Sequence, residues 1–563
     1  MLLFAGCTDS APPPEPAATI CQSEVTPITV LQGDGYSSPL AGSESTVRGI
    51  VTYIAQGDGF YIEEPGTQRQ EGSSKAMFVS DEELSRSVVP GLQLALSGRV
   101  SELGSSRDTL TSLTDLSGYE ICAEHLELPL IQAKLPLNSA KREALEGMRL
   151  SFDQELTVTD VYNLFRGELT LSSSGVLWVP TELRKPGSAA AALERENRDH
   201  SLVATLDDTV SGPLSAGSTF SMASGVMGHN GRKQQFFVGL AQLTDNPAPE
   251  TPTPPVDGAV RIVNSNLLNF FNGDGKGRGF PTERGAESLE EFKAQSARIR
   301  AAMTMMRPDL LAVQELENDG FGPDSAARSL LGVLNKAGND DWAFVEPETG
   351  RIGGDVITVG LFYRQQVLES IGPARVLDGP EFHRLSRQPL AQLFRDRRTG
   401  EIFLLAVNHL KSKGRCPDQG ENADQKDGQG CWSTARVSAV RALAPWLKEL
   451  AAELGTDNIM ILGDMNAWRN EDPISQFQQF GYIELVERLS GLPQHSYMYW
   501  GQIGTLDYAF ASPALAGHAR NAEIWHINAN WPQKMKQPQP WLRASDHDPV
   551  IVDFDFSHLA TSD

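Results

Sequence analysis

Positive charge is scarce in this chain: 48 Lys and Arg stand against 72 Asp and Glu, a formal net charge of −24 over 563 residues. A polyanion is ordinarily met by Lys and Arg that displace its counterions, so the overall balance argues against nucleic acid unless a basic surface is gathered locally. Cysteine is also rare, five in all, and neither a Cys pair at metal-ligand spacing nor an HExxH string is present, which removes the usual zinc sites. No run approaches the ~18 to 20 apolar residues of a membrane-spanning helix. Fixed-period repeats and heptad runs are missing too, which excludes solenoids and coiled coils.

What is present divides readily. At ~150 residues per core the length suggests three to four cores, and two Pro-rich stretches, TDSAPPPEPAAT and TDNPAPETPTPPVDG, read as extended linkers. The expected partition is a signal-like segment and linker over 1–20, a β domain over 21–129, a second β-rich domain over 130–244, a linker over 245–257, a catalytic domain over 258–557 and a tail over 558–563. Between the linkers, VRGIVTYIAQGDGFYIEE, LQLALSGRVSEL, LTVTD and GELTLSSSGVLWVP alternate in the manner of strands rather than βαβ units. Helices are expected mainly in the catalytic half, over SLEEFKAQSARIRAAMTMM and TARVSAVRALAPWLKELAAEL.

The chemistry lies in that second half. RIVNSNLLNFF, LLAVQELEN, FLLAVNHLKSK, IMILGDMNAW, GTLDYAFAS and SDHDPVIVDF place Asn266, Glu315, His409, Asp464, Asn466, Asp507, Asp546 and His547 beside short apolar runs. One acid after an apolar run is ordinary strand termination; six such strings in one domain are not. Glu315 and Asp546 are hard oxygen donors of the type that holds Mg²⁺ or Mn²⁺, with Ca²⁺ a further option. Asp464 and Asn466, two apart, point the same way, so one can accept a proton while the other orients water or phosphate. His547 can bond a scissile phosphate if a carboxylate such as Asp507 holds its tautomer. Lys411 and Lys413 follow His409 and suit donation to phosphate. Arg436, on the second helix, either reaches substrate phosphate or lies on a solvated face. Arg384, Arg387, Arg395, Arg397, Arg398 and Arg415 collect near the same strings and could answer the net charge locally. NGDGKG, residues 272–277, has calcium-loop spacing without the closing Glu of an EF-hand, and reads as a tight turn.

The ordered strings QELEN, NHLKSK, GDMNAW, LDYAFAS and SDHDPV resemble the endonuclease/exonuclease/phosphatase superfamily over roughly residues 258–556. Within it, NLLNFFNGDGKGRGFPTERGA, RQPLAQLF and GCWSTAR are similar to secreted bacterial nucleases of the ExeM type. The resemblance implies an α/β (α+β) two-sheet sandwich flanked by helices. It implies a metal and phosphate site on Asn266 and Glu315 with Asp546 as an added acid, and Asp464 as base or orienter of the attacking water with Asn466 as its partner. His547 is then the phosphate-binding imidazole paired with Asp507, and a second imidazole, His409, has Glu346 or Asp355 as its acid partner. The usual Arg-Pro-Pro reads Arg387, Gln388, Pro389 here, a departure in turn chemistry. The first β segment is similar to the oligonucleotide/oligosaccharide-binding (OB) barrel that accompanies extracellular nucleases; Tyr53, Phe60 and Tyr61 then either stack bases or form barrel core.

The cysteines speak to the compartment. Cys416 and Cys431 bracket a Gly- and Asp-rich loop whose closure by a disulfide is worth roughly 3 kcal/mol, and Cys21 and Cys122 flank the first β module. Cys7 is left over in LLFAGC, which resembles a lipoprotein processing site without a basic n-region or full apolar region before it; the alternative is an incidental thiol. Paired cysteines imply oxidising surroundings, so the expectation is a bacterial protein that is extracellular, periplasmic or held at the outer membrane by a lipid on Cys7. The expected activity is metal-dependent hydrolysis of phosphodiester bonds in DNA, with RNA as an alternative, little sequence preference and 5′-phosphate products. No obligate protein partner is evident. The rival readings are a phosphodiesterase for phospholipid headgroups and a non-catalytic nucleic-acid-binding surface protein.

Overall fold

The computed structural model describes all residues except 1–18, 56–57, 67–71, 106–107, 207–213, 230–232, 339–340, 384 and 558–563. Cys7 and Arg384 therefore lie outside the described residues. Two compact units emerge: Met1–Gln154, Val203–Thr209 and Met222–Ala241 form one, and Glu155–Leu202, Val210–Ser221 and Gln242–Asp563 the other. These breaks fall inside the segment between the two Pro-rich stretches. Residues 155–202 group with the C-terminal half because their strand Leu177–Trp178 finds its partner there, in parallel with Gln502–Ile503.

The first unit is built on a closed five-stranded barrel, in the order Glu44–Ala55, Gly59–Glu63, Ala76–Val79, Asp108–Ala123, Gln93–Ser105 and back to the first. Closure leaves no free sheet edge in the barrel, and its interior is filled by Val47, Val51, Phe60, Ile62, Met77, Val79, Leu94, Leu96 and Leu113. Cys21 and Cys122 form a disulfide with a Cα separation of 5.6 Å. Phe60 and Tyr61 are fully buried, the Tyr61 hydroxyl accepts from the His229 amide at 2.9 Å, and Tyr53 stacks on Phe237 at 5.0 Å. Of the two roles open to these aromatics, Phe60 and Tyr61 take the core one.

The second unit is a mixed α+β sandwich. One six-stranded sheet runs Trp342–Phe344, Ile357–Arg364, Leu310–Glu317, Val260–Phe270, Val550–Phe554, Ala519–Ile524; the other runs Leu368–Val376, Leu390–Asp396, Ile402–His409, Ile459–Asp464, Asp507–Ala511, Ile483–Glu484. Their facing sides share one apolar core that includes Ile262, Leu310, Leu361, Phe394, Leu405, Leu462 and Val552. Helices Leu289–Met306 and Ala326–Asn335 cover the outer face of the first sheet, and Ser433–Leu454 and Asp472–Gln479 that of the second. Strands buried on both faces read as continuous apolar runs rather than alternating ones, as in FLLAV and IMIL. Helix Leu289–Met306 starts at Ser288, whose side chain accepts from the Glu291 amide, and ends at Arg307 in the left-handed region ahead of Pro308.

Candidate active site

Three adjacent strands of the second sheet deliver their polar ends at one level: His409 is level with Asp464 in the parallel pair, and Asp464 faces Asp507 in the antiparallel one. The close approach depends on Gly463, where φ is +146° and a Cβ would stand 2.0 Å from the Asn408 carbonyl oxygen. Beyond Asp464 the chain turns through Asn466 at φ +48°. Asp464 Oδ1 accepts from the Asn466 amide at 2.9 Å, and Asn466 Nδ2 donates to the Leu410 carbonyl at 3.1 Å. An Asx turn thus pre-orients both side chains.

Asp507 Oδ2 takes two donors, His547 Nδ1 at 2.7 Å and Ser496 Oγ at 2.7 Å. This arrangement leaves His547 Nε2 turned towards Asp464, 3.9 Å from Oδ2, and the Tyr497 ring packs on the imidazole at 4.5 Å. Burial pushes the His547 pKa down, but the Asp507 and Asp464 carboxylates outweigh it and hold the imidazole well above its usual value. His409 behaves oppositely: burial, reinforced by the Arg387 charge, drives it well below the ordinary range. Two histidines in one site thus have opposite proton affinities. Burial raises Asp464 to about 7, opposed by the His547 charge and aided by that of Asp507.

The first sheet contributes Asn266 and Glu315 through bulges. Register slips between Asn266 and Phe270 and between Val313 and Leu316, with Leu268, Asn269 and Glu315 at positive φ; such irregularities re-aim side chains beside active sites. Asn266 Nδ2 lies 3.3 Å from Asp464 Oδ2, and Glu315 Oε2 accepts from the Asn269 amide at 3.0 Å. Burial raises the Glu315 pKa, and the Asp546 charge adds to the rise. Asn269 Oδ1 is buried with no hydrogen-bond partner and lines the same cleft as Glu315 and Asp546. An orphaned amide oxygen with two hard carboxylates fits a Mg²⁺- or Mn²⁺-type site. Donor atoms of Asp464, Asp507 and His547 also fall within 4.8 Å of one another, but the His547–Asp507 hydrogen bond already uses one pair of them. His495, His526 and Asp548 form a further such group; there the two imidazoles stack face to face at 3.9 Å and 4°, so their nitrogens lie side by side rather than converging.

The cleft has a volume of about 1250 Å³ and brings together Glu315, His409, Asp464, Asn466, Asp546 and His547. The partner of His409 is neither of the two acids expected. Asp355 is engaged by Arg387 at 3.2 Å, Glu346 is exposed, and the carboxylate nearest the imidazole among the described residues is Asp464, at 3.5 Å from Nε2. Basic residues also sort differently from expectation. Lys413 lines the cleft but is ion-paired with Glu471. Lys411 sits over the Trp432 ring at 4.9 Å and donates to the Ser412 and Gly414 carbonyls. Arg436 is fully buried and donates to the Lys411 and Cys431 carbonyls, so it braces the loop instead of meeting substrate. Arg395 pairs with Glu369 and Arg398 with Asp555, and Arg397 donates to the Gln365 carbonyl; none of the three lines the cleft. Of the cluster named from sequence, Arg387 does line it, joined by Arg284, which stands in the string FPTERGA and was not singled out. Tyr497 and Ser496 had no local signal. The loop that follows Lys413 is closed by the Cys416–Cys431 disulfide, Cα separation 5.5 Å. In NGDGKG, Asp274 Oδ1 accepts from the Lys276 and Arg278 amides, as a tight turn does.

Solved structures similar to the chain include an endonuclease/exonuclease/phosphatase family protein from Bacteroides thetaiotaomicron, at 16% identity over 54% of this chain and 98% of that one, TM-score 0.37. The human Nocturnin catalytic domain with bound sulfate anion is similar at 17% identity over 54% and 96%, TM-score 0.33. D. rerio TDP2 complexed with single strand DNA product is similar at 14% identity over 53% and 99%, TM-score 0.34. Among curated protein sequences none matches the chain. The sequence profile of the endonuclease/exonuclease/phosphatase family matches residues 265–547, half of the chain and the span that holds every residue from Asn266 to His547. The chain belongs to the endonuclease/exonuclease/phosphatase family, whose members are hydrolases acting on phosphoester bonds.

Proposed function

We propose that this protein is a secreted or surface-anchored nuclease that hydrolyses phosphodiester bonds of extracellular DNA, or of RNA, with little sequence preference and with Mg²⁺ or Mn²⁺ as cofactor. The observation that carries the reading is the cleft of about 1250 Å³ in which a neutral His409, a cationic His547 and the carboxylates Asp464, Glu315 and Asp546 converge with Arg284 and Arg387. Its volume exceeds the ~300–1,000 Å³ of typical small-ligand sites, which favours a polymer. Arg284 and Arg387, among the three arginines that line the cleft, answer the net negative charge where it matters, because phosphate contacts position a strand without reading its bases.

The residues divide the work as follows. Asp464, tied to the Asn466 amide and touched by Asn266, accepts the proton of the attacking water. His547, held by Asp507, donates its Nε2–H to a phosphoryl oxygen, and His409 hydrogen-bonds the phosphate from the adjacent strand end. Glu315 and Asp546 would hold the divalent cation, which when bound would supply positive charge against that developing on the phosphoryl oxygens. In this reading the enzyme is of the ExeM type, and its five-stranded barrel is an OB-like module. Two disulfides suit an oxidising compartment, and a lipid on Cys7 is the proposed anchor.

Plasmid DNA and phospholipid vesicles, each incubated with the protein in Mg²⁺ or Mn²⁺, test the proposal. Nicking or degradation of the plasmid is expected. Headgroup release from the vesicles with the plasmid intact would overturn it in favour of a lipid phosphodiesterase, and inertness towards both would leave a binding protein.

A further inference from the structure

Residues 177–202 lie outside the span that the family profile matches, yet they form part of the cleft: Leu177, Val179, Pro180, Ala190, Glu194 and Asn197 all line it. Leu177–Trp178 extends the hairpin Tyr497–Tyr499/Gln502–Gly504 as a third, parallel strand. The short helix Pro180–Leu183 then places Thr181 and Glu182 in full burial against two loops of the catalytic half.

The bonds made there are specific. A single carboxylate oxygen of Glu182, Oε2, accepts from the Arg469 amide at 3.2 Å and from the Thr505 amide at 3.0 Å. Arg469 stands three residues after Asn466, and Thr505 two residues before Asp507. Asn470 Nδ2 donates to the Glu182 carbonyl at 2.6 Å, its amide donates to the Thr181 carbonyl at 3.0 Å, and Thr181 Oγ1 donates to Glu471 Oε1 at 2.9 Å. On the other side Gly504 leaves no room for a side chain: a Cβ would lie 2.8 Å from the Trp468 ring and 3.2 Å from Glu182 Oε2. Glu182 Oε1 has no partner. A buried carboxylate is costly unless its bonds return the cost, and here those bonds run to two backbone amides, one from each loop.

We infer that Glu182 is a positioning residue for catalysis: its carboxylate ties the turn that follows Asp464 and Asn466 to the start of the Asp507 strand, and so sets the spacing between the proton acceptor and the His547–Asp507 pair. The inference rests on the reading of the cleft as a hydrolytic site. It makes the segment 177–202 part of the active machinery through Glu182, which acts on the loops and not on the substrate.

Steady-state cleavage of a DNA oligonucleotide by the full-length protein tests it, with Glu182→Ala, Glu182→Asp and Glu182→Gln compared below their melting midpoints. Displacing reacting groups by an ångström costs on the order of 100-fold, so Glu182→Ala is expected to lower kcat by about 10- to 100-fold with KM within about twofold of the wild type. Glu182→Gln keeps an acceptor oxygen for both amides and should restore kcat to within about threefold. Should Glu182→Ala fail to fold, Glu182→Asp, one methylene too short to bridge both amides, carries the same expectation. A folded Glu182→Ala or Glu182→Asp with unchanged kcat, or Glu182→Gln as impaired as they are, overturns the inference while hydrolysis by the wild type leaves the functional reading standing. A wild type that cleaves nothing removes both.

Discussion

His547 Nδ1 and Asp507 Oδ2 lie 2.7 Å apart, and both side chains are buried. That bond fixes the tautomer, turns Nε2 towards Asp464, and, with the Asp464 charge, overcomes the effect of burial on the imidazole. Asp507→Asn removes the charge and keeps the shape. Burial then meets less opposition and the His547 pKa falls, and no anion keeps a proton on Nδ1, so the charged, Nε2–H-donating form that bonds phosphate is depleted at neutral pH. We expect DNA cleavage at pH 7 to drop by about 10²- to 10⁴-fold, with the optimum moved to lower pH. A pH–rate profile of the variant with the optimum unmoved would count against this role.

Glu315 and Asp546 raise a different expectation. Asp546 pushes the Glu315 proton affinity up, and a divalent cation between such groups relieves the repulsion. Added Mg²⁺ or Mn²⁺ should therefore stabilise the fold by mass action, by about 2.7 kcal/mol at a hundredfold excess over Kd, seen as a higher melting midpoint, and Glu315→Gln should lose most of that gain. Chelation by EDTA should abolish cleavage. Activity that persists in chelator would sink the metal-dependent mechanism.

The pH dependence of stability follows from Glu182. Burial raises its carboxyl from 4.5 to about 7, opposed by the Thr505 and Arg469 amides. A folded-state pKa above the unfolded one means stability that is fully present below about pH 4.5 and lost as pH rises through about 7. Glu182→Gln cannot ionise and escapes that loss. Its melting midpoint relative to the wild type should rise between pH 5 and pH 8; a constant difference across that range would refute the assignment.

Arg387 and Lys411 separate two classes of basic residue. Arg387 lines the cleft, anchored by Asp355, whereas Lys411 lies over Trp432 and donates to backbone carbonyls. Arg387→Ala should raise KM for DNA and reduce the slope of log affinity against log salt by about one. Lys411→Ala should leave that slope unaltered. Salt titrations of oligonucleotide binding give both numbers.

The Cys416–Cys431 disulfide closes a loop that contributes Gly428, Gln429 and Gly430 to the cleft. Its reduction should cost up to roughly 3 kcal/mol and lower cleavage, because the loop also holds Gln429, whose carbonyl accepts from Lys413 Nζ at 2.6 Å. Differential scanning calorimetry with and without reductant measures the first, and plasmid cleavage the second.

The ends of buried strands were legible because a strand enclosed on both faces needs an unbroken apolar run, and a polar residue at its edge stands out against that run. FLLAVNH and IMILGD announce His409 and Asp464 in this way, and LDY and SDHD announce the pair Asp507 and His547. The cysteine pairs were legible because each brackets one module. Arg436 and Lys411 donate to backbone carbonyls, which a basic residue near a motif does not reveal; local sequence does not say which way a side chain turns.

What the amino-acid sequence determined by itself is the set of polar groups at the ends of buried strands, since they stand out against local apolar runs; the two-sheet frame is what the resemblance of its ordered strings implies. The tertiary structure alone decided which of those groups share a proton, that Asp464 rather than Glu346 or Asp355 is the carboxylate nearest His409, and that Glu182 reaches the loops around Arg469 and Thr505. Those relations join residues 40 to 323 positions apart. They depend on how strands cross and which side chains lose water together, and no spacing along the chain encodes that.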